Sequence, residues 1–469
     1  MRAASDSSNA PFLRRWGRLT QEAGRRSTST GELRFAPYIT AQHASCWERR
    51  KKRVKTIAHA FHTIQRRVRQ AIHQNMRLMS YFWSAVFALI AGCSSGATAR
   101  SDESAHAPES QQPQALHHAK RTASGFENDY GHLPRESFLK WRWERFTHGL
   151  PKPPANGYHF PMAHPDIAWL KANRTADTLT WIGHASALVQ IDGVNILTDP
   201  VFSERASPFS FAGPKRKTPP GLTLNELPHI DIVLISHNHY DHLDKPSIEA
   251  LNRQPGGPPR FLVPLGIRQW MKDIGVTNVE ELDWSDETHA AGLNIWFVPS
   301  QHWSARTPFD RAETLWGGWV VKTPAGAAHP YSFYFAGDTG YSPDFRDIGA
   351  RFGGFDLALI PIGAYDPRWF MHAQHVDPEE AVRVFQDVHA KKAIGIHWGS
   401  FELTDEPLDE PPRRLADAVR RAGLPADAFT VLKHGEMIRL DTPNSSAATS
   451  GRKHGLGARL SRARILPAN

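Results

Sequence analysis

The sequence has 469 residues, 40% of them hydrophobic, so it can bury a large core, and it has no collagen-like, coiled-coil or disulfide-rich bias. Its net charge of +9 arises in the first 75 residues, where 16 Lys and Arg stand against 4 Asp and Glu. The remaining residues contain 40 basic and 43 acidic side chains. Nucleic acid is therefore not a predicted partner, since the body of the chain has no excess positive charge. With only two cysteines, Cys46 and Cys93, neither a disulfide framework nor a Cys-based zinc site is expected.

Residues 1–75 are rich in Arg, Ser and Gln. One interpretation is a basic arm for nucleic acid or a membrane. We favour a disordered extension, because the next segment has the character of a protein's N-terminus. The true translation start is then Met76 or Met79.

Residues 76–93 combine a basic Arg77, an apolar stretch and small residues before Cys93. The apolar stretch has the length of a signal-peptide core and is short for a bilayer span. Ile90-Ala91-Gly92-Cys93 resembles the bacterial lipobox, whose cysteine is lipidated. This predicts a lipid-anchored protein of the bacterial cell envelope that faces the periplasm. The alternatives are a single apolar anchor helix, or a cytoplasmic or membrane-associated protein.

The rest of the chain divides by composition. Residues 94–125 are small and polar, which predicts a flexible tether. Residues 126–441 have a globular composition and are expected to form one catalytic domain. Residues 442–469 are expected to be a disordered basic tail.

Alternating polar and apolar residues in 178–191 and 194–197, around Asp192-Gly193, predict a β-hairpin. Four apolar runs, at 230–236, 295–298, 331–336 and 393–396, are typical of buried strands. Each run leads to a residue that can bind a metal ion, namely His237, His302, Asp338 and His397 respectively. We expect these side chains to converge at one site, because strand ends and their loops share an edge.

A helix is predicted after Asp377, with that residue as N-cap, Pro378 at the first position and two glutamates in the first turn. Its apolar residues recur at the spacing of one helix face, namely Ala381, Val384, Phe385 and Val388. Residues 138–146 are expected to form a lead-in helix or loop. Because strands and helices alternate, an α/β layered architecture is predicted.

Residues 237–242 place four side chains that bind metals within six positions: His237, His239, Asp241 and His242. In an extended segment the first two project to one side, and the last two follow a turn and can face a second ion. Imidazole and carboxylate are suitable zinc ligands, and two ions about 3.5–4 Å apart form a catalytic clamp.

This H-x-H-x-D-H pattern resembles the signature of the metallo-β-lactamase superfamily, which implies an αββα sandwich. The resemblance implies one zinc ion on His237, His239 and His302, and a second on Asp241, His242 and His397. Asp338 would bridge both. The iron-binding branch has Glu at the position of His239, so the resemblance favours zinc. Asp199, in Thr198-Asp199-Pro200, would support ligand imidazoles or be a simple turn residue.

Longer segments resemble the N-acylphosphatidylethanolamine-hydrolysing phospholipase D family over residues 150–440. They are Gly183-His184-Ala185, 235–244, Gln301-His302-Trp303, 337–341, 367–371, 374–380 and Ile396-His397-Trp398-Gly399. The resemblance implies cleavage of a phospholipid to phosphatidic acid and an N-acylethanolamine by zinc-bound hydroxide. It also implies a phospholipid substrate and a homodimer. A membrane surface, reached through a lipidated Cys93, is a further expected partner that follows from the lipobox-like segment.

The same resemblance supplies the remaining candidate residues. Asp241, Asp338 and His375 are the candidate catalytic residues, with His375 assisting the phosphate or the leaving group. Gln374 and His375 would lie on the substrate side. Aromatic residues could line an acyl-chain cavity, namely Trp303, Tyr341 and Trp369.

Three alternatives stay open. A dizinc site can also hydrolyse another phosphodiester or a lactone, because it polarises carbonyl groups as well. A nuclease is disfavoured by the acidic body. A non-catalytic zinc-binding protein would be expected to have lost ligands, whereas all seven residues are present.

Overall fold

The computed structural model describes residues 115–130, 138–327 and 329–440. Every described residue belongs to one compact unit of the chain, residues 108–469. The predictions for the basic extension, for the lipobox-like segment with Cys93, for the first part of the tether and for the C-terminal tail lie outside the described residues. Among the described helices, none is long and apolar enough to cross a bilayer.

The first two strands, β1 and β2, form a small antiparallel sheet. The other described strands form two seven-stranded sheets. The N-terminal sheet has the order β16-β3-β4-β5-β6-β7-β8, and the C-terminal sheet has the order β15-β14-β13-β12-β11-β10-β9. In chain order the strands are β1 (Lys120–Thr122), β2 (Gly125–Glu127), β3 (Thr178–Gly183), β4 (Ser186–Ile191), β5 (Val194–Thr198), β6 (Ile232–Leu234), β7 (Arg260–Pro264), β8 (Val279–Leu282), β9 (Glu287–Ala290), β10 (Leu293–Val298), β11 (Gly318–Lys322), β12 (Ser332–Phe335), β13 (Phe355–Pro361), β14 (Ala390–Ile396), β15 (Phe429–Thr430) and β16 (Met437–Arg439).

Helices connect many of these strands. They are α1 (Phe138–His148), α2 (Ile167–Ala172), α3 (Lys245–Asn252), α4 (Arg268–Asp273), α5 (Asp344–Phe352), α6 (Arg368–Met371), α7 (Pro378–Asp387) and α8 (Pro411–Arg421). The predicted lead-in segment is therefore the helix α1.

Strands β3 to β6 are buried on both faces. In β6, Ile232 and Leu234 face the core between the two sheets, whereas Val233 packs in a second core that includes Ile248 of α3 and Met271 of α4. The two faces of a strand carry alternate residues, so one face meets the other sheet and one meets helices. The predicted αββα sandwich is confirmed.

The hairpin at Asp192-Gly193 has the turn that its sequence predicts. Both residues have positive φ, 51° for Asp192 and 76° for Gly193, as a type I′ turn requires. The predicted strand 178–191 is wrong in one respect, because it divides into β3 and β4 at His184, where φ is 55°. Alternation alone did not reveal this break, because the residues on both sides are apolar.

The flexible tether ends earlier than predicted. Phe126 is buried, and its N–H donates to the Ala312 carbonyl at 2.9 Å. The N–H of Ala119 donates to Asp283 Oδ1 at 3.0 Å. Residues 120–125, assigned to the tether, thus belong to β1 and β2 of the folded part. Their polar composition concealed this small hairpin, because the residues that anchor it, Asp283 and Ala312, lie far away in sequence.

Helix α7 begins as its sequence predicts. Asp377 accepts a hydrogen bond from the Glu380 N–H at 2.9 Å, and Glu380 accepts one from the Asp377 N–H in return. This is a capping box. The predicted apolar face of α7, with Val384 and Phe385, is buried in the core.

We predict that Asp377→Ala lowers the free energy of unfolding by about 1–2 kcal/mol, because it leaves a helix N–H without its acceptor. It also removes the contacts of Asp377 with Arg368 and Arg414. Urea unfolding of the variant and of the parent measures the difference. Asp417→Ala, at a half-exposed position on α8, is the control and should change stability by less than about 0.5 kcal/mol. Equal effects of the two substitutions would contradict the capping role.

Candidate metal centre

Three imidazoles converge at the end of β6. The Nε2 atom of His237 lies 2.8 Å from Nδ1 of His239, and Nε2 of His302 lies 3.3 Å from the same Nδ1. Burial, with the neighbouring imidazoles, lowers the pKa of His237 well below its usual value, that of His239 to about 3 and that of His302 to about 4. These rings are therefore neutral at pH 7, with nitrogen lone pairs free to bind a cation.

A second group lies beside the first. Asp241 Oδ2 is 3.5 Å from Nε2 of His242 and 3.5 Å from Nε2 of His397, and these two nitrogens are 3.3 Å apart. His397 follows β14, whereas Asp241 and His242 follow β6. The two sheets thus each contribute side chains to this group.

Asp338 lies between the two groups. Its Oδ2 is 3.1 Å from Nε2 of His242 and 3.2 Å from Nε2 of His397, and it is 4.0 Å from Nε2 of both His237 and His302. Its Oδ1 is buried without a hydrogen-bond partner. Burial alone would raise the pKa of Asp338, but His242 and His397 hold it well below its usual range. All seven residues named from the sequence are therefore brought together.

A hydrogen-bond chain fixes the orientation of two of these rings. Asp199, which is fully buried, accepts from Nδ1 of His242 at 2.7 Å and from the Ser236 hydroxyl at 2.6 Å. The Ser236 Oγ in turn accepts from Nδ1 of His237 at 2.9 Å. With the protons on Nδ1, Nε2 of each ring is left as the ligand atom. Asp199 is therefore more than a turn residue.

The donor set suits divalent metal ions such as zinc, since it offers imidazole nitrogens and carboxylate oxygens that lie within 4.8 Å of one another in each group. The electrostatics of these side chains also favour a bound cation. Although burial opposes it, the Asp338 and Asp241 carboxylates raise the pKa of His397 to about 9. The group thus attracts positive charge, and a divalent cation would supply it.

His184 joins the second group and was not predicted as a site residue. Its Nε2 lies 3.0 Å from Asp241 Oδ2, and its ring centre lies 4.0 Å from that of His397. Burial lowers the pKa of His184 to about 3, so a neutral ring donates to Asp241. The sequence signal that could have identified His184 is its position directly after Gly183, in a turn between two strands.

Arg306 supports the loop that carries the ligands and was also missed. Its guanidinium donates to the carbonyls of Asn238 and Leu243, both at 2.8 Å, and lies 3.9 Å from the ring centre of Tyr240. No local pattern connects Arg306 with that loop, which lies more than 60 residues earlier.

A cavity of about 950 Å³ has three of the candidate metal ligands in its lining. His239, Asp241 and Asp338 line its floor together with His375. Its walls are largely apolar and include Phe138, Trp141, Trp303, Phe370, Met371 and Leu403.

Of the predicted substrate residues, Trp303, Gln374 and His375 line this cavity. Nδ1 of His375 has no hydrogen-bond partner and lies 4.0 Å from Asp338 Oδ2. Burial lowers the pKa of His375 well below its usual value, so its ring is neutral. The backbone carbonyl of Gln374 accepts from Nδ1 of His302 at 2.9 Å, which orients a metal ligand.

Two predicted aromatic contacts are wrong. Tyr341 is not among the residues that line the cavity, because its hydroxyl donates to Asp387 and its ring lies under the Arg383 guanidinium. Trp369 does not line it either, and its ring contacts the Lys140 ammonium. The neighbouring Phe370 lines the cavity instead.

Comparison with known proteins agrees with this geometry. A family model described as a beta-lactamase superfamily domain matches residues 194–398. The chain is 42% identical over 271 residues to N-acyl-phosphatidylethanolamine-hydrolyzing phospholipase D 1 of Caenorhabditis elegans, covering 55% of this chain and 74% of that protein. The chain belongs to the metallo-β-lactamase superfamily, in the family of this relative.

Two further relatives have hydrolase names. A UPF0173 metal-dependent hydrolase of Methanopyrus kandleri is 31% identical over 261 residues, which cover 55% of this chain and 97% of that protein. The solved structure of Igni18, a metallo hydrolase of Ignicoccus hospitalis, is similar with 22% identity and a TM-score of 0.42 over 57% of this chain and 99% of that one. The family assignment rests on the sequence relatives. The chain is a hydrolase of this superfamily.

We predict that His184→Ala weakens metal binding by the Asp241 group by about 10–100-fold, because the carboxylate loses the donor that orients it. Metal titration with a competing chelator measures the affinity. His434→Ala is the matched control: it removes another buried imidazole, packed 4.3 Å from Trp181, that is in none of the ligand groups. An equal loss of affinity in both variants would contradict the specific role of His184.

Proposed function

We propose that the chain is a dizinc phosphodiesterase that hydrolyses phospholipids of the N-acylphosphatidylethanolamine type. The observation that carries the proposal is the combination, in one cavity, of a floor of metal ligands with apolar walls. A charged phosphodiester fits the floor, and acyl chains fit the walls. The volume, about 950 Å³, is at the upper end of the range of about 300–1,000 Å³ usual for small-molecule sites. The name of the Caenorhabditis elegans relative supports the same substrate class.

Each of the two ligand groups would hold one ion. His237, His239 and His302 would bind the first, Asp241, His242 and His397 the second, and Asp338 both. When bound, two zinc ions supply Lewis acidity to the phosphate oxygens and lower the pKa of a water molecule.

The residues of the chain orient the reactants. In the net reaction, water adds to phosphorus, the bond from phosphorus to the ethanolamide oxygen breaks, and that oxygen receives a proton. His375 is suited to donate a hydrogen bond to the phosphate or to the departing oxygen, because its ring is neutral and Nδ1 has no protein partner. Trp303 and Phe370, on the cavity wall, exclude water from the acyl chains.

We also propose the lipid anchor at Cys93, the cell-envelope location and the homodimer, for which the family resemblance and the sequence of 76–93 are the support. An anchored enzyme and a lipid substrate agree physically, since tethering raises the local concentration at a bilayer.

We expect turnover of N-acylphosphatidylethanolamine and two zinc ions per chain by elemental analysis. A chelator should abolish turnover, and added zinc should restore it. Bis(p-nitrophenyl) phosphate and an acyl lactone are the comparison substrates. Turnover of the lactone alone would remove the phospholipase proposal but keep a metal-dependent hydrolase. Full activity in metal-free protein would remove the dizinc proposal.

We expect His375→Ala to lower kcat by about 100-fold or more, while two zinc ions stay bound, because the hydrogen bond to the departing oxygen is lost. His372→Ala is the matched control, as it removes an exposed imidazole from the same segment. Steady-state kinetics, together with metal analysis, distinguishes the loss of the His375 side chain's role from a loss of bound zinc. Unchanged kcat in His375→Ala would remove the assigned role.

A further inference from the structure

The backbone of His302, a candidate metal ligand, is held by a side chain from the N-terminal part of the described chain. The His302 N–H donates to Oδ1 of Asn128 at 3.1 Å, and the His302 carbonyl accepts from Nδ2 of Asn128 at 3.0 Å. One carboxamide therefore pairs with both backbone groups of the ligand, as a residue of a neighbouring strand would. The two residues are 174 positions apart, so no local sequence pattern predicts this pairing.

The imidazole of His302 is fixed as well. Its Nδ1–H donates to the Gln374 carbonyl at 2.9 Å, and its Nε2 lies 3.3 Å from Nδ1 of His239. Asn128 and Gln374 together bind every polar atom of His302 except the nitrogen that would be the ligand. Because the ring moves with its backbone, a shift of the Asn128 pairing would displace Nε2 from the position of the ion.

A buried tryptophan fixes the orientation of the Asn128 carboxamide. The Nε1–H of Trp316 donates to Oδ1 of Asn128 at 2.9 Å and to the Ser300 carbonyl at 3.1 Å. The Trp316 carbonyl in turn accepts from Nε1–H of Trp284 at 2.6 Å, and both indoles are buried. An indole N–H can only donate, so the carboxamide oxygen faces it. Nδ2 of Asn128 is thereby directed at the His302 carbonyl.

The hairpin of β1 and β2 holds Asn128 at this place, since the residue directly follows β2. Phe126 is buried, and its N–H donates to the Ala312 carbonyl at 2.9 Å. A Cβ atom at Gly125 would lie 2.0 Å from the same carbonyl oxygen. The hairpin therefore lies directly against the loop that follows His302, and glycine is required at the closest approach.

We propose that Asn128 is a positioning residue for the metal ion of the first group, which consists of His237, His239 and His302. The carboxamide holds the backbone of His302 so that Nε2 is directed at this ion. The β1–β2 hairpin is then a required part of the metal centre. The inference rests on the proposed function only for the presence of two metal ions.

Other side chains support the second group of ligands. His184 donates to Asp241 at 3.0 Å, and Asp199 accepts from His242 at 2.7 Å. Loss of the Asn128 pairing should therefore weaken the binding of one ion much more than that of the other.

The test compares metal binding by the full chain with that of Asn128→Ala and Asn128→Asp. Zinc is titrated against a chromophoric chelator, which resolves the two affinities. Cobalt(II) is titrated in parallel, because its visible absorption bands report the geometry of the ligands. Asn128→Ala removes the carboxamide. Asn128→Asp keeps its size and its acceptor atoms, but an ionised carboxylate cannot donate to the His302 carbonyl.

We expect both variants to bind one zinc ion about tenfold or more less tightly and to change the affinity for the other by less than about threefold. The visible bands of the cobalt-loaded variants should differ from those of the parent, because the position of His302 Nε2 has changed.

Asn173→Ala is the matched control. It removes another buried carboxamide that pairs with the backbone, since Nδ2 of Asn173 donates to the Ala176 carbonyl at 2.7 Å and Oδ1 accepts from the Ala176 N–H at 3.0 Å. Asn173 follows α2 and is in none of the ligand groups. We expect this variant to have lower thermal stability, with both zinc affinities and the cobalt bands of the parent.

Parent-like zinc affinities and cobalt bands in both Asn128 variants would overturn the positioning role. An equal loss of affinity in Asn173→Ala, or loss of the folded circular dichroism spectrum in both Asn128 variants, would assign Asn128 to general stability and also overturn it. A parent that binds two ions without hydrolysing the phospholipid would remove the proposed substrate alone. A parent that binds no metal would overturn both proposals.

Discussion

The position of Asp338 depends on close contact between the two sheets. Gly337, with φ of 63°, follows β12, and a Cβ atom there would lie 2.7 Å from Cβ of Ser236 and 2.9 Å from the Gly317 carbonyl. Glycine is therefore required where the loop of one sheet crosses the strand end of the other. The N–H of Gly317 also donates to the Ser236 carbonyl at 3.1 Å. This approach places the Asp338 carboxylate between two groups of imidazoles.

The buried, charged side chains of such a site need hydrogen-bond partners that are not themselves candidate ligands. Asp199 and His184 are the partners of His242 and Asp241, and neither is exposed to solvent. Their cost of burial is offset by the hydrogen bonds they make. The candidate ligands and the side chains that hydrogen-bond to them thus form one polar network, which is enclosed by apolar strands.

The sequence predicted the parts of the fold that local physics determines. Asp192-Gly193 requires a type I′ turn, and Asp377 with Pro378 starts a helix, because both effects act within a few residues. The seven ligand-type residues were also found, since each follows a buried strand or lies in one dense segment. His184 and Arg306 were missed, because their partners lie 57 or more residues away. The prediction that Tyr341 lines the cavity was wrong for a similar reason, because its hydrogen bond to Asp387, 46 residues away, is not visible locally.

The separation of the ligands along the chain also governs when the site can be assembled in the cell. His242 and His397 are 155 residues apart, and they meet only after β14 has paired with β13. At about 5–20 residues per second, a ribosome needs roughly 8–30 s to make the intervening chain. A metal ion bound by both residues therefore could not be captured early in synthesis, and its uptake would report that both halves of the domain have folded.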